Sequence, residues 1–176
     1  GIASLMLREI PYRGEAYIRV RSCEPENLGA LLEECRGFCR MAGADKIYAT
    51  AETMPEGWSL HASVIRMQGT ARVDQDELEN LFPVTEQTVA HWRQICNASM
   101  REVSCAATQT AADEKRILES GGAYFVHDNG NLLGIGWVEE NRILAVAAVE
   151  KGAGEAVMHT LLTLVKEDTA IVEVAS

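Results

Sequence analysis

The run Arg142-Ile143-Leu144-Ala145-Val146-Ala147-Ala148-Val149 constrains this chain more than any other segment. It is apolar almost throughout and lacks polar alternation, which predicts a central strand covered on both faces. Such a strand needs neighbours within a sheet and helices above and below it. The next residues, Glu150-Lys151-Gly152-Ala153-Gly154, form a short turn with two glycines. Val157, Met158, Leu161, Leu162 and Val165 then recur at helical spacing, and Ala170 to Val174 reads as a closing strand. A buried strand, a glycine turn and a helix leave several backbone N–H groups unpaired at the helix N-terminus. Together with the helix dipole they form a site for an anion. Gly152 and Gly154 remove the Cβ atoms that would hold a phosphate off, and Lys151 adds a positive charge. The turn is not a Rossmann fingerprint, since position 157 is Val, and no Gly-Lys-Ser/Thr follows to make it a P-loop.

Elements upstream follow from the same periodicities. Tyr17 to Arg21 alternates as a half-buried strand. Leu28, Leu31, Leu32, Cys35, Phe38, Cys39 and Ala42 mark an amphipathic helix from about Pro25 to Gly43. Asp45 to Ala51 and His61 to Met67 read as strands, with Met54-Pro55-Glu56-Gly57 carrying turn signals between them. The polar stretch Gln68 to Asn80 is taken as the boundary between an N-terminal β-α-β-β half, residues 1–75, and a second domain, residues 81–176. In the second, Thr85 opens a helix with Val89, Trp92, Ile95 and Cys96 inward, and Thr110 with Asp113 has capping-box spacing ahead of a helix ending at Gly121-Gly122. Ala123 to His127 and Leu132 to Val138 flank Asp128-Asn129-Gly130-Asn131, a hairpin signal. The order of the second half is therefore α-α-β-β-β-α-β. A helix followed by a strand occurs twice, over Leu32–Thr50 and Val157–Ser176, an internal echo consistent with a duplicated domain.

Charge and cysteine content narrow the partners. With 26 acidic against 16 basic side chains the formal charge is −10, which repels phosphate backbones and anionic membranes, so no nucleic acid and no membrane partner is expected. No apolar run reaches the roughly 18 to 20 residues of a membrane span, and Gly1 to Arg8 lacks the charged start of a signal peptide. Five cysteines (Cys23, Cys35, Cys39, Cys96, Cys105) in such a chain read as reduced thiols of a cytoplasmic protein. Cys35 and Cys39 share a helix face without a second ligand pair, so no metal site is expected. His61, His91, His127 and His159 have no partner at triad spacing, and Cys105 sits in no nucleophile motif. Trp58, Trp92 and Trp137 read as core or rim packing.

Two stretches, Tyr124-Phe125-Val126-His127-Asp128-Asn129-Gly130-Asn131-Leu132-Leu133-Gly134-Ile135-Gly136 and Leu144 through Gly154, taken with the order of elements, resemble the GNAT acyl-CoA N-acyltransferase superfamily over residues 81–176. The family's cofactor motif is Gln/Arg-x-x-Gly-x-Gly/Ala. Gly152 and Gly154 match its glycines, and Val149 stands at its basic position. The fold class this implies is α/β (α+β), a mixed sheet flanked by helices. The resemblance further implies that acetyl-CoA lies along the splayed strand, its pantetheine arm paired with backbone of Val146, Ala147 and Ala148. Its pyrophosphate would meet Lys151, Gly152, Ala153, Gly154 and Glu155. Transfer of the acetyl group to a primary amine of a small molecule or peptide is the expected activity, and a homodimer is allowed. Amine attack needs a base, and the available acids are Glu139, Glu140 and Glu173. The alternative is a non-catalytic acyl-CoA-binding or interaction module. The family's next helix, which carries a tyrosine that protonates the CoA thiolate, and its two last strands would follow Ser176. Either the chain given is a truncated form, or a degenerate GNAT-like N-terminal half supplies replacement strands, with Ala62–Met67 and Ile47–Ala51 as candidates.

Overall fold

Asn129 and Gly130 both take positive φ, 47° and 87°, the geometry a two-residue hairpin turn demands and the reason Asn-Gly serves there. Around that turn the computed structural model, which describes residues 1–51, 53–72, 78–103 and 106–175, builds its larger sheet. The chain divides into two compact units, Gly1–His61 and Ala62–Ser176, each with its own mixed sheet, and five α-helices are spread between them.

In the first unit β1 (Ile2–Met6) runs antiparallel to β2 (Glu15–Ser22), and β2 runs parallel to β3 (Lys46–Thr50). The short helix α1 (Ile10–Arg13) joins β1 to β2 and stops at Gly14, which is left-handed at φ 68°. Helix α2 (Leu28–Met41), preceded by a 3-10 turn at Pro25–Asn27, connects β2 to β3. Leu32, Cys35 and Cys39 of α2 bury against Ala16 and Ile18 of β2, so the heptad-like apolar spacing becomes one packed face. Glu15, itself buried, accepts the Tyr17 hydroxyl at 2.6 Å and lies 3.1 Å from Arg13 and 3.7 Å from Lys46.

The second unit holds six strands in the order β4-β9-β8-β7-β6-β5. They are β4 (Val64–Thr70), β5 (Asn80–Pro83), β6 (Ala123–Asp128), β7 (Asn131–Glu139), β8 (Arg142–Ala148) and β9 (Thr169–Ala175). Helices α3 (Val89–Ser99) and α4 (Glu114–Ser120) cover one face, where Val89, Trp92 and Cys96 meet Ile117, Phe125, Ile135, Trp137 and Ala147. Helix α5 (Gly154–Leu162) covers the other, with Val157 and Leu161 against Val126, Leu133, Val138 and Ile143. A Cβ at Gly134 would strike the Ala147 carbonyl and Val157, and one at Gly136 would strike Leu161, so these two glycines let α5 seat directly on β7. Among the described residues no helix is long and apolar enough to cross a membrane.

Several expectations hold in detail. The capping box at Thr110 and Asp113 is formed, with Asp113 Oδ2 accepting the Thr110 N–H at 2.7 Å, and the helical order α3-α4-β6-β7-β8-α5-β9 is the one read from the sequence. Others shift. The strand expected over His61–Met67 lies at Val64–Thr70 and pairs antiparallel with β9 along its whole length. The division between the units therefore falls at His61 and Ala62, ahead of the polar stretch 68–80, because Val64–Thr70 is bonded into the second sheet. Ile47–Ala51, the other candidate for a replacement strand, stays in the first sheet as β3. Strands β1 and β5 went unread, as both are short and carry little alternation. Residues 73–77 of the polar stretch, and Cys105, lie outside the described residues.

Candidate functional site

Strand β8 explains the site. Its register with β7 pairs Trp137 with Ala145 but Val138 with Ile143, so Leu144 is an extra residue, a bulge. On its other side β8 pairs in parallel with β9 through only Arg142–Ile171 and Ile143–Val172, although each strand runs seven residues. Beyond the bulge the two strands part, while the other edge of β9 stays paired with β4 along all seven of its residues. From Leu144 to Ala148 the β8 backbone thus borders a wedge, with no registered β9 partner among the described residues. The open edge, four steps from Leu144 to Ala148, is about 13 Å long at a strand's rise per residue.

The wedge opens toward the glycine turn. The Leu133 carbonyl accepts the N–H groups of Val149 (2.8 Å) and Glu150 (3.2 Å), anchoring the end of β8 to β7, and Ala153 donates to the Glu150 carbonyl at 3.2 Å. Gly152 closes the turn at φ +90°, where a side chain would be strained. Helix α5 then starts with no side-chain cap. The N–H groups of Lys151, Gly152, Gly154, Glu155 and Ala156 have no acceptor among the described residues, and all but Ala156 belong to exposed residues. Four of the residues expected to meet a pyrophosphate therefore offer donors, whereas the N–H of Ala153 is spent inside the turn. Lys151 is the local cation, and Glu150 and Glu155 are acids on either side of it.

Val146 packs among the α5-side cluster, Ala147 is buried beside Trp92 and Trp137, and Ala148 is exposed. Glu173 sits on β9 just past the last β8–β9 pair, exposed, and 3.5 Å from Arg142. Glu139 pairs with Arg142 at the other end of β8. It is thus separated from the glycine turn by the length of that strand. There, Glu139, Glu140 and Arg142 line an open cleft of about 810 Å³ together with Arg116, Tyr124 and Leu144. Arg116 stands 5.1 Å from the centre of the Trp137 ring, and the indole N–H of Trp137 is buried without a partner among the described residues. Trp92, by contrast, donates to the Tyr124 carbonyl at 3.1 Å.

Three of the four histidines lie against aromatic rings. His127 is half-buried beside Phe82 and Phe125, His91 is stacked on Phe125, and His61 lies against Tyr48 in the first unit. Cys96 is a core thiol whose pKa burial pushes up to about 11. Burial, with Glu34 next to one and Cys35 next to the other, raises Cys35 and Cys39 as well. None is a ready nucleophile. Among the described residues no three His, Cys, Asp or Glu side chains are grouped to hold a metal ion.

The chain matches no protein-family model, and no curated protein is detectably similar to it. The residues that sequence reading missed are Leu144 as the bulge and the cleft cations Arg116 and Arg142. An all-apolar strand carries no mark of where an extra residue falls, and the cleft is assembled from α4, β6, β7, β8 and the segment after α5.

Proposed function

We propose that the second unit binds acetyl-CoA along β8 and transfers its acetyl group to a primary amine, as the resemblance to GNAT acyltransferases implies. The observation that carries this reading is the opening of β8 from β9 immediately ahead of an uncapped helix. An extended pantetheine arm carries amide groups that can hydrogen-bond to a free strand edge, and a pyrophosphate suits clustered N–H donors at a helix N-terminus. Lys151 supplies positive charge beside that turn, and Glu155 is solvent-exposed there. The neutral amine attacks the thioester carbonyl, a C–N bond forms, the C–S bond breaks, and the thiolate takes up a proton. Orientation by the wedge contributes most of the acceleration. Glu173 or Glu139, through water, removes the proton of the incoming ammonium. The first unit is read as a degenerate copy of the same arrangement.

The non-catalytic reading draws on two observations: Leu144 to Ala148 carry no polar side chain, and Glu173 is engaged with Arg142. Two measurements separate the readings. Saturating acetyl-CoA raises the melting temperature if the wedge is a binding site, because a ligand of the folded state alone must stabilise it. Free CoA then accumulates with at least one amine of a panel if the site is catalytic. Absence of any thermal shift overturns both readings, and a shift without CoA release from any amine leaves only the binding module.

A further inference from the structure

The cleft at the far end of β8 has a lining of mixed charge. Arg116, Arg142 and Lys166 supply cations, and Glu119, Glu139 and Glu140 supply acids, while Val138, Leu144 and Leu164 give it an apolar wall. Some of these charges are engaged: Arg142 is with Glu173, Glu119 is 3.6 Å from Lys115, and Arg116 lies over Trp137. Glu139, Glu140 and Lys166 have no ionic partner among the described residues, even though the Lys166 N–H donates to the Glu140 carbonyl at 3.3 Å. Both residues line the cleft, and their backbones are joined there.

Glu140 is also held in an unusual backbone state. Its φ is +54°, a region few non-glycine residues enter and where Asn or Gly is the ordinary choice. The turn is pinned from outside. Its neighbour Asn141 accepts the Ile171 N–H at 2.8 Å through its carbonyl and donates its side-chain amide to Glu167 at 2.9 Å. The segment between α5 and β9 thus fixes the two adjacent acids at the rim of the cleft.

We propose that this cleft takes a free α-amino acid with an apolar side chain. Its ammonium lies against Glu139 and Glu140, its carboxylate against Arg142, Lys166 and Arg116, and its side chain on Leu144 and Leu164. A single cleft lined by charges of both signs matches a zwitterion and disfavours a ligand carrying one charge alone. The volume falls within the range of small-molecule sites. That the bound amine is also the acetyl acceptor rests on the function proposed above, since Leu144 is shared between the cleft and the wedge. The binding itself does not rest on it.

The test is calorimetric titration of the protein, without acetyl-CoA, with L-leucine, L-leucine methyl ester, N-acetyl-L-leucine and isopentylamine. L-leucine binds, and each analogue lacking one charge binds at least tenfold more weakly, a loss of about 1.4 kcal/mol. Glu140→Gln weakens L-leucine at least fivefold while leaving the affinity for acetyl-CoA unchanged. Equal affinity for L-leucine and its methyl ester overturns the proposal, as does absence of L-leucine binding at millimolar concentration. Acetyl-CoA binding is scored in a separate titration, so failure of the cleft and failure of the wedge are told apart.

Discussion

The two units contain the same local arrangement, and only one of them opens. In the first, β1 lies antiparallel to β2, and helix α2 carries the chain from β2 to a parallel β3. In the second, β7 lies antiparallel to β8, and α5 carries the chain from β8 to a parallel β9. All five residues of β3 pair with β2, from Glu15–Lys46 to Arg19–Thr50. Only two positions pair β9 with β8. A wedge is therefore no consequence of the strand-helix-strand connection. In the second unit it coincides with the bulge at Leu144 inside β8 and with a further strand, β4, holding the far side of β9. The first unit also has a bulge, at the Ile2–Ala3 end of the β1–β2 pairing, and α2 also starts without a side-chain cap, but among the described residues no strand lies beyond β3. Its β2–α2 connection is Cys23-Glu24-Pro25-Glu26-Asn27, with acids and a proline where the second has Lys151, Gly152 and Gly154.

Glycine substitutions break the comparison most sharply. Gly134→Ala puts a methyl against the Ala147 carbonyl and Val157, and overpacking of this kind at backbone costs about 3 kcal/mol. Urea unfolding is expected to register that loss. Raising the pH probes the core of the second unit. Cys96 titrates near 11 in the folded chain against 9.0 when exposed, so its contribution is intact below pH 9 and is lost as pH rises toward 11. The unfolded chain releases the thiol proton first, and over that window stability falls by about 3 kcal/mol. The measurement is urea unfolding from pH 8 to 11, and Cys96→Ala flattens the profile.

Next in size is Gly152→Val, which strains the +90° turn and crowds its donors. At least tenfold weaker acetyl-CoA binding is expected, about 1.4 kcal/mol by titration. The smallest effect has the opposite sign. Gly37 lies in the interior of α2, with open space where a Cβ would go, so Gly37→Ala stabilises the first unit by about 0.5 to 1 kcal/mol. A loss of stability at Gly37, or none at Gly134, would dissolve the contrast between a helix glycine that faces open space and a strand glycine on which a helix seats.

Much of this fold was legible because its signals are local. Asn129-Gly130, the Thr110–Asp113 box, the α2 stripe and the apolar run of β8 each declare themselves within a few residues. Strand β4 does not. All of its residues are exposed, so no alternation fixes its bounds, and its partner β9 comes from the far end of the chain. The same limit hid the shape of the site. Gly152, Gly154 and Lys151 could be read as an anion turn, but the bulge at Leu144 and the parting of β8 from β9 depend on which strand flanks each edge. Glu139 and Glu173 were chosen for chemistry alone, and only their places in the sheet separate them, one at the cleft and the other beside the wedge.

Amide hydrogen exchange, read residue by residue with and without saturating acetyl-CoA, tests the opened β8 edge most directly. Slower exchange is predicted at wedge-facing amides within Leu144–Ala148 and at Lys151, Gly152 and Gly154–Ala156, with no change at Tyr17–Arg19 or Lys46–Thr50. Exchange unchanged along β8 and the glycine turn, or slowed equally in both parallel pairs, would contradict the claim that the second unit alone keeps its strand edge for a ligand.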